Sequence, residues 1–237
     1  MTQISPPDVR LHGYPVSNWF NCARAAMIEK GLGASFEPCR ASRDEDFLAL
    51  SAMGKIPWLE TAAGGIAETV AILDYLEELQ PEPPLLPADP FARAKVRQMV
   101  NIAQLYVEAP LRSLYPGVFM GASNSDEKRA DAEATLARSI PALLRLAAFG
   151  PWLAGPALSQ ADLVLFYALE LGDRVMLHEF GRSLSSAHAE LERWQSSMRT
   201  RASTQVVLAD FHPAFLTYLA DRHAAWQEPD ARISKNA

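Results

Sequence analysis

The stretch GKIPWLETAAGGIAETVAILDYLEE, residues 54–78, decides the fold. It enters a strand through a proline, turns at AAGG and leaves as a second short strand, GIAE. From Thr69 the apolar period lengthens: Ile72, Tyr75, Leu76 and Leu79 share one side of a helix. Upstream, Val9–His12 is a short strand closed by Gly13 and Pro15. Phe20, Ala23 and Met27 then fall three and four apart, with Ser17 or Asn18 as N-cap and Gly31 as the stop. ASFEPCR forms a second strand. Pro38 within it removes a ladder donor and places it at a sheet edge. DEDFLALSA adds a short helix. The order β-α-β-α-β-β-α implies a sheet with helices on its faces.

QPEPPLLPADP follows, with five prolines in eleven residues, a composition that fits neither helix nor central strand. Beyond it the sequence suggests no further strand and four helices. DPFARAKVRQMVNIAQLYVEA opens with Asp89 as cap and Pro90 at the first helical position. SDEKRADAEATLARSIPALLRLAAF carries Pro141, where a bend is expected. ALSQADLVLFYALEL is apolar nearly all round and therefore buried, and SSAHAELERWQSSMRTR is the fourth. The expected organisation is an α/β domain at residues 1–80, a proline-rich linker at 81–90 and an all-helical domain at 91–237.

Hydrophobic residues make up 49% and charged residues 21%, a globular composition, and the net charge of −6 opposes a nucleic-acid role. The start, MTQISPPDVR, lacks a basic-then-apolar leader pattern. The charge-free run Leu146–Ala161 is broken by Gly150, Pro151, Gly155 and Pro156, so it reads as a loop and not a membrane span. Cys22 and Cys39 have no zinc or CxxC spacing, the histidines are scattered with His12 read as structural, and no metal is expected. A cytoplasmic setting is the default expectation.

Three local signals carry chemistry. At HGYPVSNWFNCARAAM, residues 12–27, a helix N-terminus offers N–H groups and a positive dipole end to an anion. A thiolate there would be stabilised below the ordinary thiol value of about 8.5. Ser17 fits the donor role, although on this segment alone plain N-capping is the better explanation. At GKIPWL, a cis Ile56–Pro57 bond would expose the Ile56 backbone at a strand edge, where an extended peptide can add as a short strand. At AETVAI, a second helix start capped by Thr69 stands beside Glu68, a pair suited to the carboxylate and ammonium of an α-amino acid head. Together these describe a thioredoxin-like groove for an extended tripeptide.

The sequence resembles a soluble glutathione transferase over nearly its whole length, of the serine-type, zeta/theta-like, bacterial style. MGKIPWLE resembles the family's cis-proline segment, AETVAILDYLEE its γ-glutamyl segment, and LSQADLVLF its buried capping box, with Ser159 as cap and Asp162 three residues on. In the zeta-like Ser-Ser-Cys run, Ser17 falls on the catalytic serine, while Asn18 and Trp19 replace the other two. Trp19 thereby removes the class's cysteine and narrows the pocket, which weakens the implied isomerase activity on maleyl compounds.

The resemblance implies that Ser17 donates a hydrogen bond to the glutathione thiolate. Asn18, Lys55, Ile56, Pro57, Glu68 and Thr69 would bind the tripeptide, with Lys55 favoured over Arg43 at its glycine end. Tyr14, ranked after Ser17, would also line the electrophile pocket with Pro15, Trp19, Tyr106, Tyr115 and Phe119. Arg112 is left open between an acidic substrate and an internal partner. Cys22 is read as a small buried hydrophobe. The implied activity conjugates or reduces a small hydrophobic electrophile with glutathione as co-substrate, in a detoxifying homodimer without nucleic-acid or membrane partners. The alternatives are a glutathione-dependent peroxidase or thiol–disulfide reductase using Cys22, and a non-catalytic binding module on the same fold.

Overall fold

The computed structural model describes residues 9–228. The outer ends of the expected domain spans and most of the segment read for a leader lie outside these residues.

The first part follows the expected order: β1 (Arg10–Gly13), α1 (Asn18–Glu29), β2 (Glu37–Pro38), α2 (Glu45–Leu50), β3 (Trp58–Thr61), β4 (Gly64–Ala67) and α3 (Thr69–Leu79). The sheet order is β2-β1-β3-β4. β2 pairs parallel to β1, with His12 opposite Glu37, and lies at the edge where Pro38 removes no needed donor. β1–β3 and β3–β4 are antiparallel. Gly13 lets α1 lie close to β1, because a Cβ there would stand 2.2 Å from the Phe20 ring.

The second part is helical: α4 (Pro90–Ile102), a π-helical segment (Ala103–Glu108), α5 (Ala109–Ser113), α6 (Tyr115–Phe119), α7 (Asp126–Leu146), α8 (Gln160–Phe180), α9 (Ala189–Arg199) and α10 (Ala202–Asp221). Asp89 caps α4 through its bond from the Ala92 N–H at 2.7 Å, with Pro90 in the first turn. Two features depart from expectation. The first long helix gives way to π geometry and two short helices, and α10 is a fifth substantial helix, continuous through Pro213. No strand occurs in this half among the described residues beyond the isolated Trp152–Gly155 bridge. No helix among them is long and apolar enough to cross a membrane.

α8 runs buried through the centre, as its composition requires. Its start is the capping box. Asp162, fully buried, accepts from the Ser159 N–H at 2.8 Å and hydroxyl at 2.7 Å with one oxygen, and from the Leu153 N–H and Trp194 Nε1 at 2.8 Å with the other. Burial still holds its carboxyl above the ordinary carboxylate range, so these four bonds offset only part of the desolvation.

The two parts share one core. α1 packs against α3, α8 and α10. At its end, the Lys30 ammonium is fully buried and donates to Glu77 at 2.6 Å and to the carbonyls of Gln80 and Pro83 at 2.8 and 3.1 Å. Glu77 in turn accepts from the Leu85 and Leu86 N–H groups. The linker's own polar groups thus tie it down.

Glu29 bonds Arg201 Nε at 2.8 Å, Arg201 Nη2 at 2.5 Å and the Ser203 hydroxyl. Burial alone would raise the Glu29 carboxyl, but Arg201 and Ser203 outweigh it and hold it below its ordinary range. A carboxyl depressed by folding stabilises above its unfolded pKa, about 4.3 for glutamate, and that stability fades as pH falls through the lower folded value. Glu29→Gln is expected to lower stability by about 1 to 2 kcal/mol at neutral pH. The variant should also show a smaller loss between neutral and acidic pH in urea unfolding. An unchanged acid slope would contradict this.

Candidate functional site

The loop leaving β1 ends in a tight turn, with the Ser17 N–H on the Tyr14 carbonyl at 2.9 Å. Asn21 Nδ2 holds the Pro15 carbonyl at 2.7 Å, which fixes the loop to α1. Ser17 is the N-cap: its φ of −76° and ψ of 117° are extended, and its oxygen accepts from the Phe20 N–H at 3.3 Å. That bond is long and uses the oxygen as acceptor, so the hydroxyl proton is left to donate.

The Ile56–Pro57 peptide is cis. The turn before it is held by buried Ser51, whose hydroxyl donates to the Lys55 carbonyl at 2.8 Å and accepts from the Lys55 N–H at 3.2 Å. At the start of α3 the cap is Glu68 and not Thr69. Glu68 has φ +65°, a region costly for a residue with a Cβ, and such strain gathers at functional sites. The Thr69 side chain turns inward and its hydroxyl donates to the Trp19 carbonyl at 3.4 Å, so this helix start offers backbone N–H groups and the exposed Glu68 carboxylate.

These three segments line one cavity of about 670 Å³ together with the helical half. Tyr14, Ser17, Asn18, Trp19, Lys55, Ile56, Pro57, Glu68 and Thr69 all reach it, as do Tyr115 and Phe119. The cavity's aromatic wall is an edge-on run: Tyr115 and Phe119 centroids lie 5.2 Å apart, and Phe119 and Phe215 5.5 Å. Burial pushes the Tyr115 phenol up and keeps it protonated.

Other expected positions differ. Pro15 is not among the lining residues, and its neighbour Val16 is. Tyr106 lies in the π-helical segment, is about half exposed and does not line the cavity, because the wider turn presents Gln104, Leu105 and Glu108 there instead. Asn18 is buried with its amide engaged at both ends: Nδ2 donates to Glu108 at 3.1 Å and Oδ1 accepts from Arg112 at 2.7 Å. Arg112 has an internal partner, Glu108, at 2.5 Å. Arg40 lines the cavity and Arg43 does not. The Arg40 guanidinium lies 3.2 Å from the Tyr14 ring centroid.

Sequence reasoning missed Arg40, Ser51, Glu108 and Arg222. For Glu108 a signal existed: a lone acid in an apolar turn with an arginine four residues on, the spacing of a helical ion pair. Cys22 is fully buried, and burial pushes its thiol far up, which leaves no thiolate there.

The family described as glutathione S-transferase, N-terminal domain, matches residues 11–84. A glutathione S-transferase of Pseudomonas putida is 37% identical over 188 residues, 78% of this chain and 86% of the relative. This chain belongs to the glutathione S-transferase family. A zeta-class glutathione S-transferase from Euphorbia esula is 30% identical over 83% of this chain and 92% of its own, so the chain is zeta-like within that family. Among solved structures, a glutathione S-transferase from Rhodospirillum rubrum F11 superposes with a TM-score of 0.69 at 27% identity, covering 84% of this chain and 91% of that one. The thioredoxin-like and helical halves are this family's architecture.

Proposed function

We propose that the chain is a glutathione transferase in which Ser17 stabilises the glutathione thiolate. The observation that carries this is the single cavity joining Ser17, Ile56 beside its cis proline, and Glu68 at the start of α3. The thiol lies at Ser17, the cysteinyl backbone runs along Ile56, and Lys55 meets the glycine end. The γ-glutamyl ammonium pairs with Glu68, and its carboxylate takes the N–H groups at the start of α3. The thiol proton leaves to solvent. The thiolate accepts the Ser17 hydroxyl bond, and its sulfur forms a bond to the electrophilic carbon while the leaving group departs with its electron pair. Holding both reactants in one cavity supplies much of the rate.

The electrophile meets Trp19 on one side and Tyr115 and Phe119 on the other. Arg40 and Arg222 also line the cavity and favour an electrophile that carries an acidic group. A redox role through Cys22 is disfavoured by the burial of that thiol. The proposal extends to a cytoplasmic, detoxifying homodimer organised as an α/β domain to residue 80, a linker to 90 and a helical domain beyond. Phe91, 72% exposed, and Met53, 54% exposed, are large apolar side chains that a second copy would cover.

Glutathione at about ten times its Kd is expected to stabilise the protein by roughly 1.4 kcal/mol. Glu68→Ala should raise the KM for glutathione about tenfold and change kcat far less, as loss of one charge-assisted bond made in ground and transition states alike. Absence of any thermal shift in saturating glutathione would defeat the proposal.

A further inference from the structure

An ion pair at the buried side of the cavity has no part in the chemistry outlined so far. Glu108 is 3% exposed, and one of its oxygens takes both Asn18 Nδ2 at 3.1 Å and Arg112 Nη2 at 2.5 Å. The same Arg112 nitrogen donates to Asn18 Oδ1 at 2.7 Å. Three side chains therefore close a ring. One of them is the first residue of α1, directly after Ser17, and the other two come from the π-helical segment and α5.

The ring is neutral as a whole but highly charged within. Burial would lower the Arg112 guanidinium, and the Glu108 carboxylate outweighs that and holds it charged. The Arg112 side chain is 44% exposed while Glu108 is closed off, so the pair offers its cationic end to the cavity. The other charged groups lining the cavity are Arg40 after β2, Lys55 after α2, Glu68 before α3 and Arg222 after α10, and the phenols of Tyr14, Tyr115 and Tyr218 line it as well. Of the charged groups, only Glu108 and Arg112 are bonded to the first residue of α1 among the described residues.

We propose that Glu108 is a positioning residue for thiol activation: it fixes Asn18, and with it the start of α1, and it cancels the Arg112 charge. The pH at which a thiol beside Ser17 ionises is then set jointly by the helix start and by this pair. The inference rests on the reading that places the glutathione sulfur beside Ser17. An uncompensated charge lining the same cavity as the thiol moves such an ionisation by about one unit.

The test is the pH dependence of kcat/KM together with the ultraviolet thiolate absorbance of the glutathione complex, in the full chain. Glu108→Gln keeps the shape and an acceptor for Asn18 but leaves Arg112 uncompensated, so the midpoint is expected to fall by about one unit. Arg112→Met leaves the carboxylate uncompensated, so the midpoint is expected to rise by about as much. Opposite shifts support the proposal. Unmoved midpoints, or shifts in one direction, overturn it, whatever happens to kcat or yield. If Glu108→Gln gives no folded protein, Arg112→Met decides alone, and its midpoint must rise. Ser17→Ala separates the two levels. If it removes the thiolate signal while the midpoints of the pair variants stay put, only this inference fails. If it leaves the signal intact, the Ser17 reading and this inference fall together.

Discussion

Asp162→Ala is expected to lower stability by about 4 kcal/mol, at the far end of what single substitutions do. Two carboxylate oxygens take four donors in a site with no water access, and alanine leaves all four without a partner. Each orphaned buried donor costs roughly 1 to 3 kcal/mol, less whatever relaxation recovers. The damage is not confined to the helix end. The Leu153 N–H belongs to the loop before α8 and Trp194 to α9, so one side chain joins the loop and two helices. Asp162→Asn should cost less, because one oxygen keeps its two donors. Urea unfolding of both variants checks this, with recovered soluble yield as the coarse readout. A loss under about 1.5 kcal/mol for alanine would mean that the loop rearranges to satisfy its own groups.

Ser17→Ala is expected to lower kcat/KM for glutathione conjugation about 100-fold. A hydrogen bond to a charged group contributes roughly 1.5 to 3 kcal/mol, and each 1.36 kcal/mol is tenfold in rate. The KM for glutathione should change little, since Glu68, the start of α3 and Ile56 are proposed to hold the rest of the tripeptide. The lost N-cap costs about 1 kcal/mol, and the 3.3 Å bond it removes is weak, so the variant should fold. Cys22→Ser should leave activity in place, because that thiol is sealed inside α1. The reverse pattern, activity lost with Cys22 and kept with Ser17→Ala, would assign the chemistry to the cysteine.

Much of the fold was legible because punctuation marks it. Pro38 demanded an edge, Pro57 opened a strand, Asp89 with Pro90 opened a helix, and Ser159 with Asp162 spelled a cap. Each is a local steric or hydrogen-bonding constraint that sequence displays directly. α10 was not legible, because Pro213 and the β-branched Thr204, Val206 and Val207 argue locally against a helix that tertiary packing then imposes. The site was half legible for a related reason. Ser17, Ile56 and Glu68 are named by their places at element ends. The inward turn of Thr69 depends on the φ of Glu68, a backbone angle no residue type announces. Tyr106 was misplaced because an i→i+5 turn shifts every later side chain away from where a regular helix would put it. Asn18 lines the cavity and also bonds Glu108, 90 positions away, a pairing no local pattern encodes.

α1 is capped at one end by Ser17, the residue proposed to hold the thiolate, and at the other by Lys30, which clamps the linker, and both faces between are buried. It is therefore a party wall: it cannot be assigned to one half without stripping the other. A break in the chain near residue 85 would sever the peptide and not the molecule, and the chemistry proposed for Ser17 depends on the rigidity of the whole.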